Sequence, residues 1–91
     1  MPIIVENNDE DPDVDIFLKN DGTVAVYVDL RGRELKYDNI RARTDGNKLY
    51  LFDSTKNYVI KVISLPTKVD SNYISLNVKY GILIILLKKV N

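Results

Sequence analysis

The feature that most constrains this chain is a period of two. Val14, Ile16 and Leu18 alternate with Asp15, Phe17 and Lys19, and Val24, Val26, Val28 and Leu30 alternate with Ala25, Tyr27 and Asp29. Successive side chains of a strand point to opposite faces, so such a run offers one face to a core and the other to water. No window of ten or more residues carries the 3.6-residue period of an amphipathic helix. Glycine steps interrupt the alternation: Asp21-Gly22, Asp45-Gly46 and Tyr80-Gly81 read as turns. Strands are expected at 14–18, 24–30, 40–43, 48–52, 58–65, 73–78 and 82–89. Pro66 ends the fifth, because proline has no N–H to give to a ladder. Residues 31–38 read as a polar loop with one helical turn, and 67–72 as a turn. Strands spaced by about 8–12 residues with turn signals between them predict an all-β fold, an immunoglobulin-like antiparallel β-sandwich of seven strands.

Ninety-one residues suffice for one such domain. The charge divides it further. Residues 6–15 (ENNDEDPDVD) hold six acids and no base, and residues 16–91 hold seven acids and all thirteen bases, so a −6 segment precedes a +6 body. With Pro12 and few apolar groups, residues 6–13 read as a solvated lead-in. The expected organisation is a short acidic arm over 1–12 and the sandwich over 13–91. The stretch Ile82–Leu87 is aliphatic on both faces, which predicts a strand that is central or covered on both sides. Lys88 and Lys89 follow it as gatekeepers against edge aggregation.

Absences restrict the chemistry. Without Cys there is no disulfide, thiolate nucleophile or Cys-ligated zinc, and without His the commonest general base and metal ligand is missing. Ser-His-Asp and Cys-His units cannot be built. No basic-then-apolar leader opens the chain, and six aliphatic residues are far short of the ~20 that a membrane helix needs. A cytoplasmic protein that engages no membrane is expected.

Three candidate constellations are weak. A calcium loop beginning at Asp9 would want Gly at its sixth position and Glu at its twelfth, where Val14 and Asn20 stand. The bases Arg31, Arg33, Lys36, Arg41 and Arg43, with Tyr27, Tyr37 and Tyr50 nearby, invite comparison with single-strand nucleic-acid binders of the OB type. Asp29, Glu34 and Asp38 interleave with them and the net charge is zero, so no nucleic acid is expected. Asp29, Asp38 and Asp53 fall near strand ends, where aspartates cap turns, and nothing in their spacing marks a catalytic pair. No phosphate-loop motif occurs. Neither an enzyme nor a cofactor is expected.

The order of these pieces resembles the α-crystallin domain of small heat-shock proteins. The matching segments are VDIFLKNDGTVAVYVDLRG, Ile40-Arg41-Ala42-Arg43, GNKLYLF, VISLP with Val69-Asp70, and KYGILIILLKK. The family-signature positions are Leu30 and Gly32 in Asp29-Leu30-Arg31-Gly32, Leu65 and Pro66, and Gly81 and Leu83 in Gly81-Ile82-Leu83. The likeness spans about residues 13–89. It also has departures: Arg31 stands where the family often has Pro, and Leu76 and Tyr80 where it often has Ala and Asn. The loop at 53–57 is too short to carry the strand that bacterial, archaeal and plant members swap, so no strand-swapped dimer is expected through it. Asn91 follows Lys89 by two residues, leaving no room for the family's Ile-x-Ile/Val tail. The short loop also makes the chain similar to CS-domain co-chaperones, and to a domain appended to some ArsA-type ATPases.

The resemblance implies a holdase chaperone domain that works without ATP and binds unfolded or aggregation-prone clients. The family's groove lies between the strands matching 39–44 and 73–78, which gives Ile40, Ala42, Ile74 and Leu76 as candidate lining residues. A second reading is a CS-like interaction module that docks on a chaperone or ATPase through the Arg31–Arg43 stretch. A monomer or weak dimer is expected. Ile3 and Val5, on one face of an extended Pro2-Ile3-Ile4-Val5, are candidates for docking in a neighbour's groove, with pairing into the chain's own sheet or a frayed terminus as the plain alternative.

Overall fold

The computed structural model describes residues 12–33 and 36–90. They form seven strands: β1 (Val14–Leu18), β2 (Thr23–Asp29), β3 (Ile40–Thr44), β4 (Lys48–Asp53), β5 (Tyr58–Ser64), β6 (Val69–Lys79) and β7 (Ile82–Lys89). The expected helical turn is a short 3-10 turn at Tyr37–Asn39. All pairing is antiparallel, in a four-stranded sheet β1-β2-β7-β6 and a three-stranded sheet β3-β4-β5. The fold is an all-β sandwich.

Register assigns the faces. Val24, Val26 and Val28 lie opposite Leu87, Ile85 and Leu83, and all six are buried. Leu49 and Leu51 of β4, Ile63 of β5 and Ile40 of β3 meet them from the other sheet. The strand that is apolar on both faces is central, as expected, but its cover is unequal. Leu83, Ile85 and Leu87 are sealed in the core, whereas Ile82, Ile84 and Leu86 on the outer face are only half-buried.

β6 departs furthest from expectation. It begins at Val69, four residues early, and pairs Val69 with Lys89 before a bulge that resumes pairing at Ile74 with Leu87. Its intervening residues are exposed and polar, so the strand lacks the alternation that marks the others. Val69 is also held from the opposite sheet: its N–H donates to the Gly46 carbonyl at 2.8 Å. Of the acidic lead-in, Pro12 is buried rather than solvated, and the Asp13 carbonyl accepts the Asp29 N–H at 3.0 Å. The arm before it, including Ile3 and Val5, lies outside the described residues.

The β6–β7 turn is a two-residue loop with positive φ at both positions, Tyr80 (φ 52) and Gly81 (φ 79). That geometry suits Asn-Gly, and a bulky side chain held there is strained. Tyr80 is 87% exposed and has no packing to lose. Tyr80→Asn is therefore expected to stabilise the domain by about 1 kcal/mol, raising the melting temperature by about 4–8 °C. Calorimetry of the two proteins checks this.

Candidate functional site

The two sheets meet at an edge where β3 packs against β6. Cross-strand partners place Ile40, Ala42 and Thr44 of β3 on the core side, opposite Asp53, Leu51 and Leu49. Ile74, Leu76 and Val78 of β6 share the core side with Leu87, Ile85 and Leu83. The structure thus brings all four candidate lining residues to one seam. Their access differs. Ile40 is 1% exposed and belongs to the core, so it has no surface to offer. Ala42 and Ile74 are half-buried against the core cluster, and Leu76 is 37% exposed although it faces inward. Leu76 stands on β6, the last strand of its sheet, with no neighbour beyond it. Val78 and Thr44 also stand on the seam; both extend the same period of two and were legible from it.

The signature positions explain one another in space. Leu30 is buried, and its N–H donates to the Gly81 carbonyl at 3.0 Å, so the turn after β2 is tied to the turn before β7. A Cβ on Gly81 would come within 2.6 Å of Arg31 Cγ, so glycine is what lets the Arg31 stem lie across this turn. Arg31 Nη2 meets Asp29 Oδ2 at 2.7 Å, and its Nε and backbone N–H both donate to Asp29 Oδ1 at 3.0 Å. Gly32 turns the chain with φ +83, Leu83 is core, and Leu65 packs on the core while donating its N–H to the Asn47 carbonyl; Pro66 is exposed beyond it.

The basic stretch does not form one patch. Arg31 lies with Asp29 on the outer side of the four-stranded sheet. Arg41 and Arg43 project from the outer face of the three-stranded sheet, Arg41 donating to the Asp38 carbonyl and Arg43 lying 5.5 Å from the Phe52 ring centre. Sequence proximity suggested a shared docking surface; alternation and the sandwich put its members on opposite sides of the molecule.

The carboxylates serve turns. Asp53 is 2% exposed and its Oδ1 accepts from Thr55 Oγ1 at 2.7 Å, Thr55 N–H at 2.9 Å and Lys56 N–H at 3.2 Å, closing the four-residue connection 54–57. The Thr55 hydroxyl is the chief reason that its pKa falls below 3.8. Hydrogen bonds from the Arg31 side chain hold Asp29 down at about 2, and backbone N–H groups, Lys48 and Thr23 first, lower Asp45 and Asp21. A depressed carboxylate adds stability above its unfolded pKa and loses it as pH falls through the folded one. Stability should therefore be level near neutrality and decline from about pH 4 toward pH 2. Thermal unfolding against pH checks this, with a shallower decline expected in Asp53→Asn, which keeps an acceptor but no charge. Among the described residues no group of three or more acidic side chains is placed to hold a metal, and no helix is long and apolar enough to cross a membrane.

Two sheets of four and three strands meet at the β3–β6 seam, and the Leu30–Gly81 hydrogen bond extends the β2–β7 pairing of the larger sheet by one rung. No family model matches the chain, and no curated protein matches it. Solved structures do. Heat shock protein 16.0 from Schizosaccharomyces pombe is 25% identical, with 88% of this chain and 67% of that one covered at a TM-score of 0.65. A mutant of hsp14.1 from Sulfolobus solfatataricus is 24% identical over 88% of this chain and 72% of that one, at 0.68. A small heat-shock protein from Xylella fastidiosa is 21% identical over 88% and 86%, at 0.62. The chain has the fold of this family of chaperones.

Proposed function

We propose that this protein is a holdase of the small heat-shock type, acting in the cytoplasm without ATP and binding unfolded or aggregation-prone polypeptides at the β3–β6 seam. The observation that carries this reading is Leu76: an inward-facing leucine on an edge strand that remains 37% exposed. An unfolded segment can lay apolar side chains on Ala42, Ile74, Leu76 and Val78, and the unpaired edge backbone can hydrogen-bond to it whatever its sequence. Binding of this kind makes and breaks no covalent bond, so the domain acts as a reversible trap rather than an enzyme. With only residues 54–57 between β4 and β5, partner exchange through that connection is not part of the mechanism.

The test is light scattering of a heat-aggregating client with increasing amounts of the protein, against an inert protein at matched mass. Suppression at comparable molar amounts is expected. Unchanged aggregation at large excess would contradict the proposal.

A further inference from the structure

The outer face of the three-stranded sheet takes no part in the core or in the seam. Cross-strand register arranges it in rows. The first runs Arg41, Phe52, Val59; the second Arg43, Tyr50, Val62; the third Lys48 and Ser64. A bulge passes over Ile60, which packs on the core, and leaves Val59 on the outer face. Zero net charge and interleaved acids argue against nucleic acid only while those charges share a surface. The sandwich separates them. Asp29 stands with Arg31 on the other sheet, and Asp38 lies in the 3-10 turn, where its carbonyl accepts from Arg41 Nη1 at 2.7 Å. None of the three rows holds a carboxylate. Asp45, in the β3–β4 turn, accepts from the Asn47 and Lys48 N–H groups and, at 3.2 Å, from the Tyr50 hydroxyl. Arg41, Arg43 and Lys48 are exposed and have no ion-pair partner among the described residues.

The aromatic pair sits on the middle strand. Tyr50 and Phe52 are two residues apart, about 6.8 Å along an antiparallel strand, and so share a face. Both are half-buried rather than sealed, and the Arg43 guanidinium lies 5.5 Å from the Phe52 ring centre. On the far side of the rings, Val59 and Val62 are 55% and 46% exposed. We propose that this face binds single-stranded nucleic acid without sequence preference. Unstacked bases lie on Tyr50 and Phe52, and Arg41, Arg43 and Lys48 meet the phosphates. Rings at the centre of a sheet face with unpaired cations beside them supply both halves of that recognition. A duplex keeps its bases stacked inside and offers this face only phosphates. An acidic polypeptide satisfies the cations but brings no base to the rings. The proposal does not rest on the client seam, which lies on the core side of β3.

Fluorescence anisotropy of a labelled single strand of about 12 nucleotides, titrated with the full chain, tests it. Binding is expected at low salt. The logarithm of the association constant should fall against that of the salt concentration with a slope of about −2, the value for three phosphates on a single strand. Arg43→Gln should reduce that slope by about 0.7, whereas Lys19→Gln, the same loss of charge at the β1–β2 turn, should leave it unchanged. Phe52→Ala should weaken binding about tenfold and Phe52→Tyr should retain it, with circular dichroism showing both folded. The duplex of the same sequence and polyglutamate should each bind at least about tenfold more weakly than the single strand. No binding of the single strand at low salt, a slope that Arg43→Gln leaves unchanged, or full affinity in Phe52→Ala would each overturn the proposal. Polyglutamate binding as tightly as the single strand would overturn it too, and would make the face a surface for acidic polypeptides.

Discussion

Ile85→Ala lowers the stability of this domain by about 3–4 kcal/mol, whereas Ile84→Ala, one residue earlier on the same strand, lowers it by about 1. Both side chains are isoleucines in a central strand, so strand propensity cancels between them. What differs is the face. Ile85 is fully buried between Val26 and Leu76 in the core layer, and its removal leaves a cavity that close-packed neighbours cannot fill. Ile84 is half-buried on the outer side beside Tyr27 and Asn77, where truncation forfeits only partial burial. Set against a total of about 5–15 kcal/mol, the larger loss should lower the melting temperature by about 15–25 °C. Urea unfolding of both variants reads this directly. Equal losses would mean that the register of β7 is off by one residue.

The second large effect concerns function. Leu76→Asp should abolish protection of a heat-aggregating client while the protein stays folded. At 37% exposure the leucine contributes less to the core than its buried neighbours, and the aspartate can reach water from the edge strand. A charge there makes the seam costly for an apolar segment to cover. Val62→Asp, on the exposed outer face of β5, is the matched control and should leave protection intact. Scattering assays of the two variants at equal concentration, with circular dichroism to confirm folding, decide it. Equal protection by both would remove the seam from the mechanism.

The turns were the most legible part of the fold. Gly22, Gly46 and Gly81 all carry positive φ, and each marks the boundary that its Asp-Gly or Tyr-Gly step implied. β2, with its strict alternation, and β7, an aliphatic run bounded by Gly81 and Lys88-Lys89, were bounded to within a residue, since in each one face is wholly buried. β6 was misread because its first half is held by a bulge and by the Gly46–Val69 hydrogen bond, long-range facts that leave no local period. In the candidate site, the period of two found the right seam but could not rank exposure. Ile40 and Leu76 look alike in sequence and both stand on edge strands, yet Ile40 is sealed in the core cluster and Leu76 is 37% exposed. The dispersal of Arg31, Arg41 and Arg43 was equally hidden, because it depends on which sheet each strand joins. The burial of Asp53 did leave a signal, the Asp-x-Thr spacing in which a carboxylate caps the residues two and three positions on, here Thr55 and Lys56.

The central claim is that client polypeptide is held at the β3–β6 seam. The most direct test places a photo-crosslinking amino acid at position 76, and separately at position 56 in the exposed β4–β5 turn, and irradiates each with a heat-unfolding client. Adducts from position 76 that are absent at position 56, and that vanish when the client is kept native, are the predicted result. Adducts of equal yield from both positions, or none from position 76 while aggregation is still suppressed, would contradict it.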